Sequence, residues 1–199
     1  MLALKIYLPL FLVVYLLITF VVPSVRVYRS TGINPVTFGK SDNAHDYIGF
    51  IMKVLTALLI GAVLLFSISD NAYAFLNRFH YLERNEVQLA GLIIMHIALI
   101  WIVIAQAQMK QSWRIGIDEQ HPTRLVTGGL FRFSRNPIFV GMIASTFGLF
   151  LVLPNAVTFF VTATSYIIIQ VQIRLEEAHL SQQHGQAYEL YRKRVRRLV

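Results

Sequence analysis

Long apolar runs alternate with short polar stretches along this chain, and the pattern predicts five membrane-spanning helices. A helix needs about 20 apolar residues to cross the hydrocarbon core of a bilayer. The first run extends from about Leu4 to Val25, the second from about Tyr47 to Ile68, and the third from about Val87 to Gln108. A fourth, about Ile138 to Leu153, is short, and Pro154-Asn155 separates it from a fifth, about Ala156 to Ile173. With so little chain between them, the last two are expected to form a helical hairpin. After Arg174 the pattern becomes amphipathic: Leu175, His179, Leu180, Tyr188 and Tyr191 are spaced for one helical face among charged neighbours. The last helix should therefore continue into the aqueous edge.

The expected fold class is thus all-α and polytopic, with a C-terminal helical hairpin and a cytosolic C-terminal helix. Residues 1–199 form one integral membrane domain, with three spans in 1–110 and a loop, hairpin and terminal helix in 111–199. The stretch from Leu2 to Val25 is too long for a signal-peptide core and lacks a small-x-small cleavage pattern, so it reads as a retained span.

Composition supports the same class. Of 199 residues 56% are hydrophobic and 14% charged, whereas a soluble domain carries about 25% charged residues. Cysteine is absent, which excludes disulfides and thiolate metal sites. The net charge of +8 has a clear distribution. Arg26, Arg29 and Lys40 follow the first span, and Lys110, Arg114, Arg124, Arg132 and Arg135 follow the third. The tail carries Arg174, Arg192, Lys193, Arg194, Arg196 and Arg197, while the opposite side holds Lys5, Arg78 and Arg84. The positive-inside rule places the N-terminus outside and the tail in the cytosol. Topology and attraction to anionic headgroups account for this charge. Nucleic-acid binding is not expected, since no fold signature for it accompanies the basic residues.

Two clusters at the water-facing edges of the expected hairpin carry candidate chemistry. The first is Leu125-Val126-Thr127-Gly128-Gly129-Leu130-Phe131-Arg132-Phe133-Ser134-Arg135-Asn136-Pro137. Its glycines permit positive φ and close approach of a ligand to the main chain. Pro137 suits the first turn of a helix, and Asn136 suits the cap before it, where free backbone donors can hold a carboxylate. The same residues also fit an ordinary capped helix start with snorkelling arginines. The second cluster is Glu176-Glu177, two acids after a span on a face dominated by arginine. They fit either a solvated surface paired with Arg174 or Arg192, or an anionic partner for an ammonium or sulfonium group. Ionisable groups beside a membrane are costly to desolvate and often functional. His96, inside the third span, reads as an interhelical hydrogen-bonding residue. The other histidines lack metal-ligand spacing, so no metal site is expected, and the nucleotide-binding glycine motifs are absent.

Together the two clusters resemble the isoprenylcysteine carboxyl methyltransferase and phospholipid methyltransferase superfamily of integral membrane methyltransferases. Its members share Leu-Val-x-x-Gly-x-aromatic, then Arg-His-Pro-x-Tyr, a helical hairpin, and Glu-Glu-x-x-Leu-x-x-x-Phe-Gly-x-x-Tyr-x-x-Tyr. This chain supplies Leu125-Val126, Gly129, Phe131, Arg135-Asn136-Pro137, Phe139, Glu176-Glu177, Leu180, Gly185, Tyr188 and Tyr191. The resemblance covers about Gln111 to Val199.

It implies S-adenosylmethionine as cofactor, bound at the cytosolic edge by Leu125, Val126, Gly129, Phe131, Asn136, Pro137, Ile138, Phe139, Glu176 and Glu177. Glu176 would meet the cofactor's positive end. Arg135 would be the catalytic residue that orients a carboxylate of substrate or cofactor, and Gln172 and Arg174 would face the substrate. Phe131 and Phe139 stand where the family has tyrosines, and Asn136 replaces a histidine, so it donates hydrogen bonds but does not titrate near neutral pH. Carboxyl-methylating relatives carry an arginine at the position of Gln172. Here the nearest arginine is Arg174, roughly 160° further round the helix, which argues against a prenylcysteine carboxylate as acceptor. The expected reaction is methyl transfer to a lipid or lipid-like small hydrophobic acceptor at the cytosolic interface. Two other readings remain open: an NADPH-dependent membrane reductase of the sterol-reductase type, and a non-enzymatic membrane carrier.

Overall fold

The computed structural model describes residues 2–38, 43–118 and 120–199. Lys40, counted above among the basic residues after the first span, lies outside them. The described residues form an all-α fold without a sheet, and two isolated bridges, Val36 to Ile115 and Arg78 to Asn155, tie loops together. The helices are α1 (Leu2–Leu16), α2 (Val22–Thr31), α3 (Ala44–Ile68), α4 (Asp70–Ala74), α5 (Asn85–Met109), α6 (Pro137–Val152), α7 (Ala156–His184) and α8 (Gln186–Arg194).

Among the described residues four helical stretches are long and apolar enough to cross a membrane: Ala3–Thr31, Ala44–Ile68, Asn85–Ser112 and Ala156–His184. The chain is a multi-pass membrane protein. Pro137–Val152 is apolar but shorter, and its 16 residues rise only about 24 Å. On the first stretch Ile6, Leu10, Val13, Leu17 and Val21 follow one another at helical spacing, and all are exposed. Such a stripe is unfavourable in water and is what a lipid-facing surface requires.

A few polar contacts join the helices, some to backbone carbonyls and some between side chains. A π-helical turn at Leu17–Val21 continues α1 into α2. Widening a turn disturbs the regular bonding ladder, and the buried Gln106 side chain donates to the Thr19 carbonyl there at 2.7 Å. His96 bonds the Leu92 carbonyl through Nδ1 at 2.7 Å and Tyr7 through Nε2 at 2.6 Å. A carbonyl only accepts, so the proton sits on Nδ1 and Nε2 accepts from the tyrosine.

The closest packing is between α5 and α6, where two glycines face each other. A Cβ on Gly91 would lie 2.6 Å from the Gly148 carbonyl oxygen, and one on Gly148 would lie 2.8 Å from that of Gly91. Small residues let helix backbones approach where no hydrophobic effect drives them together.

The contacts sort the loops into two ends. At one end Lys5 pairs with Asp70 at 3.0 Å, and the Phe79 amide donates to the Pro154 carbonyl at 2.8 Å. At the other, Arg26 reaches the Gln106 carbonyl, Thr37 bonds Ile115, and Arg135 meets Glu177. This second end gathers most of the described basic residues. Leu153, Pro154 and Asn155 connect α6 to α7, with Asn155 and Thr158 closing a capping box.

Candidate active site at the basic end of the bundle

The Gly128-Gly129 turn is shaped by a residue far away in sequence. Gln108, near the end of α5, accepts a hydrogen bond from the Leu130 amide at 2.8 Å. Gly129 has φ of 63°, and a Cβ on it would lie 2.3 Å from the Gln108 side chain. Glycine is therefore required there for conformation and for space. Nothing lies within 4 Å of a Cβ built on Gly128, so the main chain is open to approach at that point. Leu125 and Val126 are half-buried just before the turn. After it, a short 3₁₀ turn, Gly129–Arg132, buries Phe131, whose carbonyl accepts from the Tyr191 hydroxyl at 2.7 Å.

Arg135 and Asn136 follow at the start of α6 and converge on Glu177. Arg135 donates to Glu177 Oε1 from Nε at 3.0 Å and from Nη2 at 2.7 Å. Asn136 reaches the same oxygen with Nδ2 at 3.4 Å. Arg197 holds the other oxygen through Nε at 3.0 Å and Nη2 at 2.8 Å. The chain after α8 also turns back across this cluster. The Arg135 amide donates to the Arg196 carbonyl, its Nη1 to the carbonyls of Arg192 and Val195, and Asn136 Nδ2 to that of Arg197. The Arg135 side chain thus has its Nε, Nη1 and Nη2 all engaged. Asn136 occupies the cap position of α6, as its type suggests, but its side chain serves Glu177 and the tail instead of the helix amides. Pro137 is buried, and Ile138 and Phe139 are half-buried in the first turn.

Glu176 does not join this cluster. Adjacent residues on a helix point about 100° apart, so only one of the pair faces Arg135. Glu176 is half-buried and accepts one hydrogen bond, from Gln172 Nε2 at 2.9 Å. Among the described residues it pairs with no cation. Gln172 is 1% exposed, and its Oε1 is buried without a hydrogen-bond partner. Orphaned acceptors of this kind are rare in native structures and need a reason. Arg174 is exposed and bonds back to Gln170, away from this recess.

α7 ends at His184, and Gly185 with φ of 52° turns the chain into α8. The hydroxyl of Tyr188, a side chain buried in α8, is pushed up to about 12, by burial first and then by the nearby Glu177 charge. It is therefore a neutral packing group at physiological pH. Among the described residues no three metal-ligating side chains converge.

Sequence reasoning singled out Arg135, Asn136 and Glu177, and the structure brings them together. It missed Gln108 and Arg197. The signal for the first was available, since Gln106 interrupts and Gln108 ends the apolar run that includes Ile102 to Ala105, just before a loop. Arg197 carried none, being one of several arginines in a basic tail.

Fold and site define a polytopic helical membrane protein with a polar site at one end of its bundle. The profile of the phospholipid methyltransferase family matches residues 87–187, from the first turn of α5 to the start of α8. The chain belongs to the phospholipid methyltransferase family. No curated protein matches it. The tail that closes over Arg135 lies beyond the matched segment.

Proposed function

We propose that the chain is an S-adenosylmethionine-dependent methyltransferase acting on a lipid or lipid-like acceptor where the bilayer meets the cytosol. The single observation that carries this reading, within the family assignment, is the recess at Glu176. A half-buried carboxylate with an amide as its partner stands beside a buried, unpartnered carbonyl oxygen. A carboxylate without a cation beside an orphaned carbonyl oxygen favours a cationic, hydrogen-bond-donating group. The ammonium and sulfonium of the proposed cofactor are such groups, so the residues present fit it.

Glu176 would hold the positive end, and the open main chain at Gly128 would approach the ligand next to Gly129. Leu125, Val126, Phe131, Ile138 and Phe139 would supply apolar and aromatic walls, with Asn136 and Pro137 fixing the start of α6. A bound sulfonium supplies an already activated methyl group. What the protein adds is alignment of donor and acceptor and exclusion of water. Arg135 would meet a carboxylate only by releasing the tail carbonyls. In its present arrangement it is a positioning residue, holding Glu177 and through it the join between α6 and α7. Gln172 is uncharged and gives an acceptor carboxylate no cation.

Thermal melting of the detergent-solubilised protein tests the reading. S-adenosylmethionine and S-adenosylhomocysteine should raise the melting temperature, because a ligand that binds only the folded state stabilises it by mass action. NADPH should not. Stabilisation by NADPH alone would move the assignment to a reductase, and stabilisation by none of the three would favour a carrier.

We also assign α6 as a fifth span, paired with α7 as a hairpin, with the basic end and α8 in the cytosol. Its two ends contact opposite ends of the bundle, and the basic loops gather where the positive-inside rule puts them. Cysteines introduced at Ser112 and Ser181 should therefore resist an impermeant thiol reagent applied to sealed cells. Labelling of either from outside would invert the arrangement.

A further inference from the structure

The part of the chain that precedes α5 lies outside the matched family segment, yet it grips the loop that leads from α5 to the glycine turn. We propose that His45, in the first turn of α3, is a positioning residue for the ligand site and acts through this loop. The inference rests on the methyltransferase reading and gives the unmatched part of the chain a share in building the site.

The grip starts with backbone. Val36 and Ile115 form a parallel bridge, in which the Ile115 amide donates to the Pro35 carbonyl at 2.9 Å. The Thr37 amide donates to the Ile115 carbonyl at 3.0 Å, and the Thr37 hydroxyl donates to the same oxygen at 2.9 Å. Two residues on, the Ile117 amide donates to His45 Nε2 at 2.9 Å. An amide only donates, so Nε2 accepts and carries no proton.

The loop is pressed tightly onto these partners. Gly116, between the two held residues, has φ of 93°. A Cβ on it would lie 2.5 Å from the Thr37 hydroxyl oxygen and 2.8 Å from His45 Nε2, so glycine is needed for conformation and for space. The imidazole is itself held in place. Phe38 stacks on it with ring centroids 4.3 Å apart. Gly49, one turn further along the same face of α3, leaves room for Phe38: a Cβ there would lie 2.5 Å from the ring. On the other side of the imidazole, Asp46 Oδ1 stands 3.6 Å from Nδ1. A side chain that is stacked, bonded and only 13% exposed has its rotamer fixed by its neighbours.

The position set at Ile117 is passed along the chain. Asp118 follows directly, and it accepts from Arg114 Nε at 3.2 Å and from the amides of Gln120 and His121 at 3.1 Å each. Ser112 Oγ donates to the Arg124 carbonyl at 3.1 Å, which ties the loop's start to its end just before Leu125-Val126. Removing the imidazole takes away no group proposed to touch the cofactor. It frees the loop instead, and a ligand must then supply the free energy of ordering it.

Titration calorimetry with S-adenosylhomocysteine on the full chain in detergent, paired with hydrogen exchange, tests the assignment. His45→Ala should weaken binding about tenfold, the order expected for one hydrogen bond and the loop it orders. The same variant should speed exchange of the Ile117 amide. His45→Gln should restore both readouts, because its Oε1 can accept from Ile117 in place of Nε2. Should His45→Ala fail to fold, Thr37→Val takes its place. It removes only the hydroxyl bond to Ile115 and should move both readouts the same way by a smaller amount. A residue that only supported the fold would lower the melting temperature and leave the affinity of the folded protein unchanged. Unmodified affinity in His45→Ala, or no recovery in His45→Gln, would overturn the positioning role and leave the methyltransferase reading standing. Failure of the unmodified protein to bind S-adenosylhomocysteine would overturn both.

Discussion

Glu177→Gln is expected to destabilise the protein by about 3 kcal/mol, the lower end of what removing one partner of a buried ion pair costs. Glu177 and Arg135 are each below 10% exposed in their side chains, and their contact is a two-nitrogen grip on one oxygen. Neutralising the acid leaves the Arg135 guanidinium buried with only carbonyl oxygens for partners. Arg197 is 39% exposed and can turn to water, which is why the lower end applies. Arg197→Gln should accordingly cost no more than about 1 kcal/mol, as for other partly solvated pairs. Equilibrium unfolding in mixed micelles measures both. Equal stability of Glu177→Gln and the unmodified protein would mean that the cluster is not what joins α6, α7 and the tail.

The neighbouring acid should behave in the opposite way. Glu176→Gln is expected to leave folding intact, because Gln172 can still bond the new amide and no cation loses its partner. Its effect should appear on the ligand instead: affinity for S-adenosylmethionine falls 10- to 100-fold, corresponding to about 1.5–3 kcal/mol for a charge-assisted hydrogen bond. Glu189→Gln is the control. That acid pairs with Arg192 at 2.8 Å and with the Ser181 hydroxyl, at a site 38% exposed on the side chain. Two adjacent glutamates thus separate a structural phenotype from a binding one. Unchanged affinity in Glu176→Gln would remove the main support for the proposed cofactor site.

The two acids also mark how far the sequence could be read. It pointed to the pair, and to Arg135-Asn136 as their counterpart, because polar groups at the edge of an apolar helix stand out against the run that precedes them. It did not say which acid would face which partner. That choice depends on the rotation of α7 about its axis. The rotation follows from packing, including the Thr162 hydroxyl bonded to the Thr146 carbonyl of α6 at 3.1 Å. The seating of the Gly129 turn by Gln108 was illegible for a related reason, since the two lie about twenty residues apart, on a helix and a loop.

By itself the sequence determined the class of protein, the long apolar helices and the break between the last two. Apolar runs of bilayer length, the break at Pro154-Asn155 and the basic residues of alternate loops are local properties, and each acts through a few neighbouring residues or through the solvent. α7 runs on past Ile173 to His184 before Gly185 stops it, the continuation that the amphipathic pattern after Arg174 predicts. That extension carries Glu176 and Glu177 within one continuous helix. Only the tertiary structure decided that Arg197 returns to Glu177, that Gln108 seats the Gly129 turn, and that Gly91 meets Gly148. Periodicity states which face of a helix is apolar, but along most of these long helices the exposed and the buried faces are both apolar. The difference between them comes from close contact of backbones and from pairing of the few polar groups, and both are fixed by the register of one helix against another.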